Sequence, residues 1–435
     1  MKRYIAVIVA VLLLAAGCGQ KDNGTAGVPT GAGEPTEAVQ PTTVPEPTEG
    51  SQPEVTNTEQ PTTAPEPTKT PDPTPTPEPT PEPTALPEVT PIGKMLEEYG
   101  MRAGTCLSDF MVKDKKCLEI ITTHFNSITM ENLMKPDYTL DRDASIAAGD
   151  LVVSFNDMTL LMLDWARDNG MAVRGHTIIW HSQTPKWIFH ENFDVSQPFV
   201  TREVMLARME SYVRQVFEKL TELGYIDLFY AYDVVNEAWM EDGSIRKEQN
   251  YWHQIIGDDY LWYAFSYADK YAPENIDLFY NDYNEQFKTE TLVNFVKTLV
   301  DEDGRYLIDG IGLQAHLYTA DDIDNYLKTV ETLGATGLKV DLTELDVCLG
   351  TWQSKLPATE ENLKIQGQYY YNLIHGLLEL VQADKVNMDS LTFWGFADSL
   401  SWRKNASPLL YNSKYEPKYA FYGAAQVKEL AGFDE

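Results

Sequence analysis

From Met101 onward, short apolar or β-branched runs alternate with longer segments in which apolar residues return every three or four positions. The runs lie near 101–105, 127–131, 171–176, 230–237, 277–282, 309–316, 338–346 and 390–396, and each reads as a strand. Between them, Met158, Leu161, Met162, Trp165 and Ala166 fall at i, i+3, i+4, i+7 and i+8. Leu292, Phe295, Val296, Leu299 and Val300 repeat that spacing, which puts apolar side chains on one helical face. Gly170, Gly224, Gly304 and Gly334 follow helical stretches, where a left-handed cap is wanted.

Strand then helix, eight times over, predicts an α/β fold: a single (β/α)8 TIM barrel over residues 92–435. Periodicity alone also allows a doubly wound open sheet. The sixth run favours the barrel. Alternation there sets Gly310, Gly312, Gln314 and His316 on one face and Ile311, Leu313 and Ala315 on the other. The apolar face suits packing under helices, and the small-then-polar face suits a lumen that opens into a site.

The chain before residue 92 breaks this pattern. Lys2 and Arg3 precede an apolar run over 5–16, followed by Gly17 and Cys18, so residues 1–20 read as an export signal too short for an ordinary membrane span. Leu14-Ala-Ala-Gly-Cys18 resembles a lipobox, with Ala15 where that pattern more often has a larger aliphatic residue. The resemblance implies lipidation of Cys18 and a cell-surface protein on the extracellular face of a bacterial membrane. A cleaved signal with an incidental cysteine is the alternative. Residues 21–91 are rich in Pro, Thr and Glu, with Pro-Thr-Thr-(Val or Ala)-Pro-Glu-Pro-Thr at 41–48 and again at 61–68. So little apolar surface cannot offset the entropy of ordering, and a disordered tether with a reach of about 200 Å is expected.

Of the 435 residues, then, some 340 remain for the barrel, a normal length for one. The formal charge of −32 argues against nucleic acid and anionic lipid surfaces as partners, since both call for basic patches. It fits a neutral polymer. Beyond Cys18 only Cys106, Cys117 and Cys348 occur, without metal-ligand spacing, and their pairing is undecided by sequence.

Polar residues gather at the run ends. In a barrel these ends share one mouth, whatever their separation in sequence. The mouth would hold Glu131 and Asn132 after the second strand, His176 and Trp180 after the third, and Asn236 and Glu237 after the fourth. The segment 281–284 would follow the fifth, Gln314 and His316 the sixth, Glu344 and Asp346 the seventh, and Trp394 the eighth. Carboxylates among amides, imidazoles and indoles describe a sugar site, because indole faces stack on pyranose rings while amides take hydroxyls. No phosphate loop, His-x-x-x-His helix or cysteine ligand set occurs in the sequence, so no metal or nucleotide cofactor is expected.

Glycosidic cleavage needs one carboxylic acid to protonate the leaving oxygen and one carboxylate to attack or to activate water. Glu237 reads as the acid, its pKa raised by a second carboxyl close by, and Glu344 as the nucleophile. Asp346, two residues on, could order His316 against it. Carboxyls about 5–5.5 Å apart would give retention by double displacement. Taken singly, His316 reads as a core histidine, Trp402 as a loop residue and Lys135 as a solvated charge ahead of Pro136.

Six motifs change that balance. Thr129-Met-Glu-Asn-Leu-Met-Lys135, Gly175-His-Thr-Ile-Ile-Trp-His-Ser-Gln183, Asp233-Val-Val-Asn-Glu237, Gly312-Leu-Gln-Ala-His316, Thr343-Glu-Leu-Asp346 and Thr392-Phe-Trp-Gly395 resemble, in order, those of the family 10 glycoside hydrolases, the endo-1,4-β-xylanases. The resemblance covers residues 92–435. It implies a retaining endo-xylanase with Glu237 as acid/base, Asn236 on the sugar 2-hydroxyl, and Glu344 as nucleophile held by His316 and Asp346. Glu131, Asn132, Lys135, His176, Trp180, Gln183 and Gln314 would bind sugars on the non-reducing side. Trp394 and Trp402 would close over the central sugar, with Tyr283 and Asn284 toward the leaving group. Xylan and xylo-oligosaccharides are the implied partners of a monomeric catalytic domain. Tyr232 stands where the family usually has Trp. A barrel β-1,4-glucanase and a non-catalytic, oligosaccharide-capturing lipoprotein are the competing functions. If residues 21–91 are only a tether, deleting them leaves turnover of soluble xylo-oligosaccharide unchanged; a large loss of kcat contradicts this role.

Overall fold

The computed structural model describes residues 88–433, so the expected export signal, Cys18 and nearly all of the tether lie outside the described residues. Among the described residues, nine strands form the sheet: β1 (Arg102–Leu107), β2 (Ser127–Met130), β3 (Ala172–Trp180), β4 (Phe229–Asn236), β5 (Asp277–Asp282), β6 (Gly310–Leu313), β7 (His316–Tyr318), β8 (Lys339–Cys348) and β9 (Ser390–Phe393). Every pairing between them is parallel, and β1 pairs with both β2 and β9. The order runs β6-β5-β4-β3-β2-β1-β9-β8, and β6 also pairs with β8, which closes the ring. The barrel has eight staves, the sixth split into β6 and β7, and the open-sheet alternative is excluded.

That split corrects the expected continuous run over 309–316. Ala315 has φ 55°, a left-handed conformation that L residues avoid in a strand, so the alternation stops after Gln314. Up to the break the lumen assignment stands. A Cβ on Gly312 would lie 2.5 Å from Asn281 Oδ1, and one on Gly310 2.2 Å from the Phe279 ring. Only glycine leaves room for these neighbours.

Helical phase was harder to read than helical existence. The helix Asp157–Asp168 buries Thr159, Met162, Leu163 and Ala166, while Leu161 is 45% exposed. The apolar face is thus rotated from the expected one, with Thr159 inside. The helix Thr289–Val296 buries Leu292, Phe295 and Val296 but stops before Leu299, which is buried beyond its end. Gly170 and Gly224 have φ 67° and 74°, as a left-handed cap requires. Gly334 instead ends the helix Ile323–Gly334, and Gly337 takes φ 83°. Cys106, Cys117 and Cys348 are buried free thiols.

Below the mouth, the lumen holds a buried charge cluster. Arg174 donates to Asp233 Oδ1 from Nε at 3.0 Å and Nη2 at 2.7 Å, and to Asp341 Oδ2 from Nη1 at 3.0 Å. Asp341 Oδ1 also accepts from the backbone N–H groups of Asp389 and Ser390, tying β9 to β8. Removing one partner strands charges where water cannot reach. Arg174→Ala should therefore lower unfolding free energy by about 3–5 kcal/mol in urea titration. A loss well under 1 kcal/mol contradicts the cluster's role.

Candidate active site

Three staves that carry site residues are irregular where those residues begin. The β3–β4 register shifts between His176 and Ile179, the β4–β5 register between Asp233 and Val235, and the β8–β9 register between Leu342 and Leu345. An extra residue in a strand re-aims the side chains that follow it. On β8, Asp341 points at Arg174 in the lumen, and both Thr343 and Glu344 reach Asn281. Glu237 leaves β4 with φ 56°, its N–H bonded to Asn281 O at 2.9 Å.

Glu237 and Glu344 belong to one hydrogen-bond network. Gln314 Nε2 donates to Glu237 Oε1 at 3.1 Å and to Asn236 Oδ1 at 3.2 Å. Asn236 Nδ2 also reaches Glu237 Oε1, at 3.2 Å. Asn281 Nδ2 then donates to Asn236 Oδ1 at 3.0 Å and to Glu344 Oε1 at 2.9 Å, while its Oδ1 accepts from Thr343 Oγ1 at 2.6 Å. Three amides bridge the carboxyls.

Two imidazoles flank Glu344. His316 Nε2 lies 3.3 Å from Glu344 Oε2, and its Nδ1 lies 3.1 Å from Asp346 Oδ1. His176 Nε2 is 3.9 Å from Glu344 Oε1, and its Nδ1 is bonded to Asp233 Oδ2 at 2.9 Å. Trp394 meets His176 edge-on at 5.4 Å between ring centroids, and Trp402, 62% exposed, meets His316 at 5.2 Å. Each tryptophan thus packs on one of the two imidazoles beside Glu344.

Burial disfavours charge on His316, but Asp346 and Glu344 outweigh it and hold the imidazole up at about 10. Burial is also the leading reason that Glu237 is raised above the usual carboxylate range; Asp282 and Glu344 add to it, while Gln314 and Trp180 oppose it. The neighbouring carboxyl expected from sequence as the cause is a lesser contribution. Removal from water comes first.

A second polar group lies on the loop after β2. Lys135 Nζ donates to Gln183 Oε1 at 2.8 Å and Asn132 Oδ1 at 3.2 Å, and Gln183 Nε2 donates to Asn132 Oδ1 at 3.1 Å. Lys135 is 5% exposed, which excludes the alternative of a solvated charge. Its ammonium lies 5.0 Å from the centroid of the Trp180 ring. Glu131 accepts from Ser108 Oγ. Beyond β5, Tyr283 accepts from Arg246 Nη2 at 2.9 Å, and Asn284 Nδ2 donates to Glu241 Oε1 at 2.5 Å. Neither Tyr283 nor Asn284 is hydrogen-bonded to the carboxyl pair. Tyr232 faces the helices, packed on Phe217 and Phe229.

Four residues in the site drew no individual role from sequence, although Asn281 was placed at the mouth with the 281–284 segment. Asn281 bridges the pair, Asp233 holds His176, Arg403 bonds Asp346, and Arg246 donates from Nε to Glu237 O at 3.0 Å. Asp233 and Asn281 stand at run ends, so their position was a usable signal. Arg403 and Arg246 sit on loops without periodicity.

The family model "Glycosyl hydrolase family 10" matches residues 92–427. Endo-1,4-beta-xylanase B of Butyrivibrio fibrisolvens is 35% identical over 340 residues, 75% of this chain and 51% of that protein. A putative endo-1,4-beta-xylanase of Caldicellulosiruptor saccharolyticus is 37% identical over 308 residues, 68% of this chain and 96% of that protein. The chain thus spans about half of the first relative and nearly all of the second. Among solved structures, the CBM22-1-GH10 modules of Clostridium thermocellum xylanase 10B complexed with xylohexaose superpose with a TM-score of 0.70 at 30% identity, covering 80% of this chain and 69% of theirs. An endo-1,4-beta-xylanase from Caldicellulosiruptor owensensis gives 0.66 at 32% identity, covering 78% and 99%.

The His316 ion pairs yield a titration test. A folded pKa of about 10 against an ordinary 6.5 makes their stabilisation complete below pH 6.5 and lost as pH rises toward 10. The His316 ring signals in NMR should stay those of imidazolium from pH 5 to pH 8. A midpoint near 6.5 contradicts the pairing.

Proposed function

The chain belongs to glycosyl hydrolase family 10, and from that premise we propose that it is a retaining endo-1,4-β-xylanase acting on xylan and xylo-oligosaccharides. The observation that carries the reading is the run of amides joining Glu237 to Glu344 across the mouth. In the first step Glu237 gives its proton to the glycosidic oxygen while a Glu344 oxygen attacks the anomeric carbon; the C–O bond breaks and a glycosyl ester forms. Glu237 then removes a proton from water, which attacks the same carbon and frees Glu344. Two inversions retain configuration.

Electrostatics fit both roles of Glu237. Burial raises its pKa, which favours the proton needed for the first step, and Asp282 and Glu344 add to that effect. Esterification neutralises Glu344, which lowers the Glu237 pKa and converts it to a base. Asn236, already beside Glu237, is placed for the sugar 2-hydroxyl, a contact that strengthens in the transition state. Lys135, Asn132, Gln183 and Glu131 serve sugars on the non-reducing side, with His176, Trp180 and Gln314. Trp394 and Trp402 bracket the central sugar, and Tyr283 and Asn284 face the leaving group. The domain over 92–435 acts as a monomer at the cell surface, carried on the 21–91 tether and anchored through lipid at Cys18.

Substrate and roles are tested together. Xylan should release reducing sugar far faster than carboxymethyl cellulose, since pentose chains lack the C6 hydroxymethyl that a crowded central subsite excludes. Glu344→Ala should abolish turnover. Glu237→Ala should retain activity on substrates with good leaving groups and regain more with azide. Preference for cellulose, or equal and complete loss with no azide product, contradicts the proposal.

A further inference from the structure

Glu285, two residues beyond Tyr283, is fully buried yet was not singled out by any motif. Its Oε1 lies 3.4 Å from the backbone N–H of Ala315, the left-handed residue that splits the sixth stave. Its Oε2 has no hydrogen-bond partner among the described residues. A buried carboxyl with one weak bond is costly, and its place calls for a reason. Burial pushes its pKa up to about 7; Lys288 opposes this and Asp282 adds to it. Tyr326, from the helix Ile323–Gly334, lies beside it: burial is the main reason that the Tyr326 phenol is raised, and Glu285 adds to it.

Ala315 joins the two side chains that hold the carboxyl pair. Gln314, before it, bonds Glu237, and His316, after it, pairs with Glu344. The neighbouring backbone is anchored as well: Gln314 N–H donates to Asp282 O at 2.8 Å, and Asp346 N–H donates to Ala315 O at 3.3 Å. The Ala315 N–H bond to Glu285 completes the set. Without it, an unfavourable backbone conformation would lose one of its restraints.

The geometry points to Glu285 as a positioning residue that, through the Ala315 N–H, fixes the kink aiming Gln314 at Glu237 and His316 at Glu344. This rests on the reading of Glu237 and Glu344 as the catalytic pair. Glu285 touches no substrate. Its effect falls on the alignment of both carboxyls, so it should appear in kcat while the sugar-binding groups after β2 keep KM.

Two conservative substitutions separate acceptor geometry from charge. Glu285→Gln keeps a carbonyl oxygen at the same reach and removes the titrating group. Glu285→Asp keeps the charge and draws the acceptor back by about 1.5 Å, one carbon–carbon bond. On an aryl β-xylobioside, the Gln variant should stay within about threefold of wild-type kcat. The Asp variant should lose between 10- and 10²-fold in kcat, on the order expected for an ångström-scale misplacement, with KM within about threefold. Asp at wild-type kcat overturns the proposal, as does a Gln variant as damaged as Asp. A loss confined to KM, or to melting temperature with kcat intact, also overturns it. Wild-type turnover, abolished by Glu344→Ala, is run alongside; its absence would be a failure of the catalytic-pair reading and not of this one.

Discussion

A carboxylate taken out of water must find other partners, and the mouth of this barrel places several within one network. Glu344 is 5% exposed and Asp346 fully buried. Opposing them are a His316 imidazole that its neighbours keep protonated and the guanidinium of Arg403. Two anions thus meet two cations. Glu237, bonded to amides and with no ion pair to its carboxyl among the described residues, is raised above the usual carboxylate range chiefly by burial, which suits the acid role proposed for it. The division of labour proposed for the two carboxyls would follow from which of them has positive charge beside it.

The rest of the fold serves that arrangement. A parallel barrel brings eight strand ends to one mouth, but regular alternation would aim many of the needed side chains elsewhere. Register shifts in β3, β4 and β8 and the left-handed Ala315 re-aim them. Below, Arg174 ties Asp233 of β4 to Asp341 of β8, and Asp233 also holds His176. The floor charge cluster and the site share a residue, so stability of the lumen and orientation of the site are coupled.

Much of this was legible in the sequence, for identifiable reasons. Strand positions were clear because each apolar run was short and bounded, and Glu237 and Glu344 stood out as acids ending such runs. What escaped was local phase. Alternation does not reveal a bulge, so Ala315 read as an ordinary core position. The helical period marked Leu161 as inside, whereas the wheel is turned to bury Thr159. Taken singly, Lys135 could not be told from a solvated charge, because one of its partners, Gln183, lies 48 residues away. Loop arginines and the buried Glu285 carry no periodic signal at all.

Stereochemistry is the most direct test, because attack on one anomeric carbon first by Glu344 and then by water gives two inversions and net retention. Proton NMR of xylo-oligosaccharide hydrolysis, recorded before mutarotation equilibrates the products, should show the β-anomer of the new reducing end appearing first. Initial accumulation of the α-anomer would mean single displacement by water, and Glu344 would not be a nucleophile.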